Sequence, residues 1–280
     1  MPALTTADGR ALTYRRLGDG PLLVCHPGGP GVSVELFGDL GGLDRKRTLV
    51  QLSPRGVDGS DPAESYELED YAADLEGLRA HLGLERMDLF GHSAGGFMSL
   101  VYASTYPKRV GKLVLCGTFA RFSDELRRDF ERFLAEREHD PRFAEAVAAR
   151  REREEHPPDD EEKLGRLAMR GLPILFGRYG PEEQQLLDDL IARGATFHIP
   201  ALRYFNEQIA PTMDLRPLLE QIEAPTLIIT GDLDPWGAGA APELEAHLRD
   251  ATVRVLPGVG HMPWIEDPES FRRELLVFLN

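Results

Sequence analysis

Residues 87–96 read Met87-Asp88-Leu89-Phe90-Gly91-His92-Ser93-Ala94-Gly95-Gly96, and this stretch decides the fold. Its first four residues are mainly apolar and predict a buried strand, whereas residues 95–106 carry apolar side chains at helical spacing. The Gly-x-Ser-x-Gly motif between them therefore falls on a sharp strand-to-helix turn. Gly91 and Gly95 relieve the crowding of such a turn because they lack a Cβ. This context predicts that Ser93 projects into a pocket as a nucleophile.

Short apolar runs alternate with helical patterns along most of the chain. Strands are predicted at residues 22–25, 48–52, 87–90, 112–116, 226–230 and 252–256. Helices are predicted at residues 68–84, 95–106 and 268–279, and Asp267 and Pro268 mark the start of the last one. This alternation predicts an α/β fold with a mostly parallel central sheet and helices on both faces.

The alternation breaks between residues 119 and 211, where charged residues become frequent. Arg and Glu are dense over residues 124–153, and residues 155–162 form a polar stretch with proline. Solvated helix faces with i,i+4 ion pairs account for most of these charges. Because the segment leaves after one core strand and returns before the next, we expect a helical cap domain at residues 119–211. Residues 1–118 and 212–280 would form the core domain, with Ser93 beneath the cap.

The composition limits the possible partners. The chain has 280 residues, 42% of them hydrophobic, and a formal net charge of −15. This negative charge disfavours phosphate backbones and anionic membrane surfaces, so neither nucleic acid nor a membrane is expected as a partner. The first 16 residues lack an apolar run preceded by basic residues, and no stretch approaches the roughly 20 apolar residues of a membrane span. We expect a cytoplasmic protein, whose oligomeric state the sequence leaves open.

Cysteine and histidine spacing predicts neither a disulfide nor a metal site. Cys25 and Cys116 each end an apolar run, where a buried free thiol is the commoner state. The histidines lack the paired spacing and the carboxylate neighbours of zinc sites. No metal or other cofactor is expected.

A second glycine-rich segment follows the predicted strand at residues 22–25. It reads Cys25-His26-Pro27-Gly28-Gly29-Pro30-Gly31. It predicts an oxyanion hole in which the backbone N–H groups of Gly29 and Ala94 stabilise developing negative charge, each such donor contributing roughly 3 to 4 kcal/mol. A phosphate-binding loop is the alternative, but neither GxGxxG spacing nor a GK[ST] ending is present. We expect His26 to be structural.

A nucleophile elbow requires an acid and then a histidine later in the chain. The strand at residues 252–256 leads to His261, which we predict to be the general base. The strand at residues 226–230 leads into Gly231-Asp232-Leu233-Asp234. Asp234 is the favoured acid because it reaches farther past the strand end, and Asp232 would then be a turn residue. The remaining histidines lie in helical or loop contexts that favour surface roles: His81, His139, His156, His198 and His247.

Four segments together resemble the α/β-hydrolase superfamily across essentially the whole chain: Gly28-Gly29-Pro30-Gly31, the elbow at residues 91–96, Gly231-Asp232-Leu233-Asp234 and Gly260-His261. The GGPG loop and the run at residues 263–268 resemble the proline iminopeptidase branch of serine peptidases, and they are also similar to esterase-like relatives. The resemblance implies that a small molecule or short peptide is hydrolysed through an acyl-enzyme. In that branch, the reaction releases N-terminal proline.

Three positions depart from the iminopeptidase pattern. Pro27 separates His26 from the GGPG loop. Asp58 stands where the family's turn, at residues 55–60 of this chain, usually has glycine. Ala94 follows the serine, where an aromatic residue is more common. These departures keep a carboxylesterase or lactonase with the same triad open. A lyase, cyclase or ligand receptor of the same fold is a third possibility, since fold alone does not determine function.

An aminopeptidase of this branch needs an anion for the substrate ammonium group, and its cap domain supplies acidic residues. Glu207 is the candidate here, since it is the single acid among apolar neighbours at residues 201–209. The alternative is a glutamate on a helix face that points to water. Trp236 and Trp264 follow the predicted acid and base, where they could line an apolar substrate pocket or pack in the core.

Overall fold

The computed structural model describes residues 1–158 and 160–280. In this part of the chain, eight strands form one sheet in the order β1-β2-β4-β3-β5-β6-β7-β8. The strands are β1 (Ala3–Thr5), β2 (Ala11–Leu17), β3 (Leu22–His26), β4 (Thr48–Leu52), β5 (Met87–His92), β6 (Val110–Cys116), β7 (Thr226–Gly231) and β8 (Ala251–Leu256). Residue 159, which belongs to the polar stretch at residues 155–162, lies outside the described residues.

Strands β3 to β8 run parallel to one another, whereas β1 and β2 form an antiparallel edge. All six predicted strands are present, and the predicted α/β-hydrolase fold class is confirmed. The sequence patterns do not predict β1 and β2. The reason lies in their half-exposed position: β2 carries Arg15 and Arg16 and buries only Leu12 and Tyr14, so its apolar signal is weak.

The helices are α1 (Leu68–His81), α2 (Ala94–Thr105), α3 (Asp124–Glu138), α4 (Ala144–Glu155), α5 (Glu161–Gly171), α6 (Pro181–Ala192), α7 (Ile199–Tyr204), α8 (Arg216–Leu219), α9 (Gly237–His247), α10 (Pro263–Glu266) and α11 (Pro268–Leu279). The α7 helix continues into a π-helical turn, Phe205–Ile209. The predicted start of α11 is present, since Asp267 accepts a hydrogen bond from the backbone N–H of Ser270 at 3.0 Å. None of the described helices is long and apolar enough to cross a lipid bilayer.

Buried apolar side chains cover both faces of the sheet. Neighbouring residues of β5 contribute to different clusters, since Leu89 packs with α1 and α2 and Phe90 packs with α11. This division follows from the two-residue period of a strand. Ser93 follows β5 directly and so lies at the carboxyl end of the parallel strands.

The segment between β6 and β7 is helical and folds back onto the sheet. Helices α3 to α7 belong to it, and a small apolar cluster packs among α4 and its neighbours: Phe143, Ala146, Val147 and Ile174. Two backbone contacts join the segment to the loops at the sheet end. His261 donates its backbone N–H to the Leu175 carbonyl at 2.8 Å, and Val32 pairs with Phe197 in an isolated bridge.

Candidate active site

Ser93 lies at the tight turn between β5 and α2. Its φ of +54° falls in a region that side-chain-bearing residues rarely adopt, at a cost of roughly 1 to 3 kcal/mol. The glycines on either side are required sterically. A Cβ on Gly91 would lie 2.5 Å from the Gly95 carbonyl oxygen, and one on Gly95 would lie 2.6 Å from the Pro27 carbonyl oxygen. The turn is therefore strained and closely surrounded by backbone.

Asp234 and His261 form a buried pair, and each is 3% exposed. Asp234 Oδ1 lies 2.9 Å from His261 Nδ1 and also accepts the backbone N–H of Trp236 at 2.9 Å. Burial alone would raise the pKa of Asp234. However, the charge and hydrogen bond of His261, together with backbone N–H donors, hold the pKa of Asp234 below its usual value. An ionised Asp234 makes Nδ1 the donor and leaves Nε2 as the basic nitrogen.

Asp232 has a different partner. It is exposed, and its Oδ1 accepts the backbone N–H of Gly258 at 2.6 Å. Asp232 thereby connects the loop that follows β7 to the loop that follows β8. Of the two candidate acids, the structure places Asp234 against His261 and Asp232 in a loop contact.

Two residues that the sequence did not single out lie next to the Asp234–His261 pair. His92 Nε2 donates to the His261 carbonyl at 2.9 Å, and the two rings lie 4.5 Å apart between centroids. Burial and the neighbouring charge of His261 hold the pKa of His92 well below its usual value, so this ring stays neutral. On the other side, a Cβ on Gly117 would lie 2.7 Å from Asp234 Oδ2 and 2.9 Å from His261 Nδ1.

The GGPG loop closes over the elbow. A Cβ on Gly28 would lie 2.7 Å from Ser93 Cβ, so the loop backbone is in direct contact with the serine. Asp58 fixes the far end of the loop, since its carboxylate accepts the Ser33 hydroxyl at 2.8 Å and the Val34 backbone N–H at 2.9 Å. The departure at position 58 thus supplies an anchor for the segment that carries Gly29.

A cavity of about 270 Å³ is lined in part by Ser93, Gly29 and Ala94. This volume is near the lower end of ligand pockets, roughly 300 to 1,000 Å³, and suits a small substrate. Most of the wall is aromatic or aliphatic, and its aromatic members are Phe97, Phe119, Phe122, Phe197, Phe205 and Trp236. Helices α4 and α5 complete the opposite wall.

Residues 21–173 match the sequence model of the alpha/beta hydrolase fold family. The chain belongs to this family. The AB hydrolase superfamily protein YclE of Bacillus subtilis is 29% identical to this hydrolase over 98% of this chain and 97% of its own. A proline iminopeptidase of Lactobacillus helveticus is 26% identical over 90% of this chain and 86% of its own. Among solved structures, an esterase from Rhodococcus sp. ECU1013 superposes with a TM-score of 0.75 at 21% identity, covering 99% of this chain and 98% of the esterase.

Of the predicted substrate-binding residues in this alpha/beta hydrolase, Trp236 lines the Ser93 cavity and stacks on Phe130 at 4.0 Å between ring centroids. Trp264 does not line it. Trp264 is buried, because α10 directs its side chain into the layer between the sheet and α11. There it packs edge-on against His92, at 4.7 Å between ring centroids, and donates its Nε1–H to the Leu36 carbonyl at 3.1 Å.

Glu207 also lies outside the Ser93 cavity. It is exposed and lines a neighbouring cavity, which shares Leu202 and Asn206 with the first one. The π-helical turn turns Phe205 and Ile209 inward and Glu207 outward. The apolar neighbours that made Glu207 a candidate thus belong to the opposite face of the turn.

The charged residues that do line the Ser93 cavity are Arg150, Arg153 and Glu154 of α4. Sequence analysis of this hydrolase assigns them to a solvated helix face, because α4 is rich in alternating Arg and Glu. The sequence does contain a signal for their shared location: the spacing of Arg150, Arg153 and Glu154 places all three on one side of the helix.

Neither cysteine is suited to serve as nucleophile or ligand in this hydrolase. Cys25 and Cys116 are free and buried, and burial raises the pKa of each thiol. Within residues 1–158 and 160–280, no group of three or more His, Cys, Asp or Glu side chains is arranged to hold a metal ion.

Proposed function

We propose that this protein is a serine hydrolase in which Ser93 is the nucleophile, His261 the general base and Asp234 the orienting acid. The observation that carries the proposal is the 2.9 Å contact between Asp234 Oδ1 and His261 Nδ1. This buried pair lies beside an elbow that holds Ser93 in the wall of a cavity. Buried acid–histidine pairs next to a strained serine are the arrangement that nucleophilic acyl transfer requires.

In the first half of the reaction, Ser93 Oγ attacks the substrate carbonyl carbon and transfers its proton to His261 Nε2. Asp234 stabilises the resulting imidazolium. The carbonyl oxygen becomes an oxyanion, for which the backbone N–H groups of Gly29 and Ala94 are the proposed donors. The intermediate then collapses, the leaving group takes the proton from His261, and the acyl group remains on Ser93.

The second half returns Ser93 to its starting state. A water molecule gives a proton to His261 Nε2 and attacks the acyl carbon, which forms a second oxyanion at the same donors. Collapse of this intermediate breaks the bond to Ser93 Oγ, and Oγ recovers the proton from His261. The product is a carboxylic acid, which leaves through the cavity.

We propose that residues 119–211 act as the cap domain of this site, over a core formed by residues 1–118 and 212–280. Two observations support this division. Helices α4 and α5 supply the wall of the cavity that faces Ser93, and the Leu175 carbonyl holds the backbone of His261. Motion of this segment would therefore change both the cavity and the position of the base.

The proposed substrate class is a carboxylic ester or lactone. An iminopeptidase needs a free carboxylate near Ser93 to bind the ammonium group of its substrate. In the described part of the cavity wall, Glu154 is the single carboxylate, and it is paired with Arg150 at 2.7 Å. The proline iminopeptidase function stays as a second candidate, because Lactobacillus enzymes with that name are 25 to 27% identical over at least 90% of this chain.

The experiment that tests the proposal compares initial rates on p-nitrophenyl acetate, p-nitrophenyl butyrate and proline p-nitroanilide, with the Ser93→Ala variant as the blank. We expect ester turnover that Ser93→Ala abolishes, and labelling of Ser93 by a serine-reactive phosphonate. Amide turnover that disappears when the proline nitrogen is acetylated would instead support the iminopeptidase. Turnover that survives in Ser93→Ala, or a wild-type protein that the phosphonate does not label, would contradict the proposed nucleophile.

A further inference from the structure

Helix α4 brings a surplus of positive charge to the Ser93 cavity. Arg150 and Arg153 both line it, and Glu154 is the only acidic residue found in the described part of the same wall. The other lining residues are apolar or neutral. A protein with a net charge of −15 thus places two guanidinium groups and one carboxylate in the lining of the cavity that contains its proposed nucleophile.

Arg150 is held in a fixed position. Its Nη2 lies 2.7 Å from Glu154 Oε1, and its guanidinium lies over the Phe130 ring, 4.6 Å from the centroid. Its Nε is buried and has no hydrogen-bond partner among residues 1–158 and 160–280. The contacts with Glu154 and Phe130 fix the Arg150 guanidinium in the cavity wall.

Arg153 has a weaker contact with Glu154 than Arg150 has. Its Nη2 lies 3.9 Å from Glu154 Oε1, which is too far for a hydrogen bond. Its side chain is about 25% exposed and lines both the Ser93 cavity and the neighbouring cavity. Burial lowers the pKa of Arg150 and Arg153, but arginine remains charged in proteins, so the positive charge persists.

The two arginines cannot both be neutralised by Glu154. Its carboxylate is bonded to Arg150, and Glu131, which also acts on Arg150 through its charge, does not line the cavity. The lining of the cavity therefore carries a net positive charge. Burying an unpaired charge is unfavourable unless a ligand compensates it. Guanidinium groups bind carboxylates through paired, charge-assisted hydrogen bonds, and they do so most strongly where water is partly excluded.

We propose that the substrate is an ester that carries a carboxylate, and that Arg153, together with Arg150, binds this carboxylate while Ser93 attacks the ester carbonyl. This inference rests on the proposed hydrolase function and names its substrate class. It assigns α4 the role of a specificity element. It also accounts for the position of Glu154, which holds Arg150 in place and, because it is already paired, attracts a substrate ammonium group less than a free carboxylate would.

The test compares two esters of equal acyl length, mono-p-nitrophenyl adipate and p-nitrophenyl hexanoate, which differ in one terminal carboxylate. We expect the wild-type protein to prefer the adipate ester in kcat/KM. Arg153→Gln should lower the ratio of the two kcat/KM values by about ten- to a hundredfold, which is the range for loss of a hydrogen bond to a charged group. Arg153→Glu should lower this ratio further.

A matched control lies on the same helix. Arg151 is 54% exposed and pairs with Glu138 of α3 at 2.6 Å, outside the Ser93 cavity. Arg151→Gln should leave the ratio of the two kcat/KM values at the wild-type level. Circular dichroism spectra and melting temperatures of both glutamine variants test whether misfolding causes a change in the ratio. Should Arg153→Gln fail to fold, the wild-type preference and Arg153→Lys, which keeps the charge but loses the planar fork, provide the same comparison.

Binding without turnover separates this inference from the proposed function. Ser93→Ala is titrated calorimetrically with monomethyl adipate and with methyl hexanoate, and we expect tighter binding of the former, which Arg153→Gln weakens. If the wild-type protein hydrolyses no ester but monomethyl adipate still binds more tightly than methyl hexanoate, the hydrolase function is rejected and the carboxylate site is kept. Equal binding of the two esters, or a ratio that Arg153→Gln and Arg151→Gln affect alike, would reject the carboxylate site.

Discussion

The carboxylate of Glu266 accepts the backbone N–H of Gly260, at 3.0 Å from Oε1 and 3.1 Å from Oε2, directly before His261. The same carboxylate accepts the N–H groups of Gly177 at 2.7 Å and Arg178 at 3.2 Å. Burial raises the pKa of Glu266, and these backbone donors oppose that rise only in part. One side chain thus fixes the loop of the proposed base to the segment between β6 and β7.

Replacement of Glu266 should impair His261 without any contact between the two side chains. Glu266→Gln presents an amide N–H₂ to backbone donors and removes charge-assisted acceptors, so we expect kcat for ester hydrolysis to fall about tenfold while KM changes less. The free energy of unfolding should fall by about 1 to 3 kcal/mol. Glu269→Gln, at an exposed site on α11, is the control and should change stability by no more than about 0.5 kcal/mol. Equal kinetics for the two variants would show that Glu266 does not position the base.

The two aspartates after β7 should differ strongly in their effect on rate. Asp234→Asn removes the negative charge that stabilises the imidazolium and can present an amide N–H₂ to His261, which favours the wrong tautomer, so we expect kcat to fall by up to roughly 10⁴-fold. Asp232→Asn should cost far less, because its contact with Gly258 is exposed and distant from the reacting atoms. Steady-state kinetics of both variants on the best ester decide between them. The opposite order would make Asp232 the acid.

Gly117 provides a steric test of the same pair. Gly117→Ala places a methyl group 2.7 Å from Asp234 Oδ2 and 2.9 Å from His261 Nδ1, so we expect activity to fall by more than about a hundredfold. Gly83→Ala is the control, since Gly83 has a similar φ, +67° against +58°, but no atom within 4 Å of the added Cβ. Both variants carry the cost of a positive φ, about 1 kcal/mol. Only Gly117→Ala should lose activity, and equal losses would contradict the steric argument.

Stability should decrease in acid because of a buried histidine. Burial lowers the pKa of His26 from 6.5 to about 4, and its ring packs against Tyr71 with a hydrogen bond to the Pro27 carbonyl. A depressed pKa in the folded state means that the unfolded chain takes up the proton first. The free energy of unfolding therefore falls as the pH decreases from about 6.5 to about 4, by about 3 kcal/mol for this residue.

Urea unfolding between pH 7 and pH 4 measures this decrease. His26→Gln keeps a donor for the Pro27 carbonyl and does not titrate, so its curve should be flatter than that of the wild type. His139→Gln, at an exposed histidine, should follow the wild-type slope. If all three curves run parallel, His26 is not the source of the acid sensitivity.

The sequence predicted those features that depend on local chemistry. Strand β5, the turn at Ser93 and the helix after it could be read together, because each needs particular residues at fixed spacing. Features that depend on contacts between segments distant in sequence could not be predicted in this way. The neighbours of Glu207 make it a candidate for the substrate site, with a water-facing glutamate as the alternative, and a π-helical turn decides where its side chain lies. The density of Arg and Glu predicts a solvated face for Arg153, since the sequence does not show how α4 packs against residues distant in the chain.

The anchor formed by Asp58 has an evolutionary consequence. Its carboxylate is useful only while position 33 offers a hydroxyl and position 34 a free backbone N–H, as Ser33 and Val34 do here. Homologues with glycine at position 58 lose that acceptor, so the constraint on position 33 disappears with it. We therefore expect positions 33 and 58 to vary together, and the Ser–Asp combination to mark one lineage within this large family.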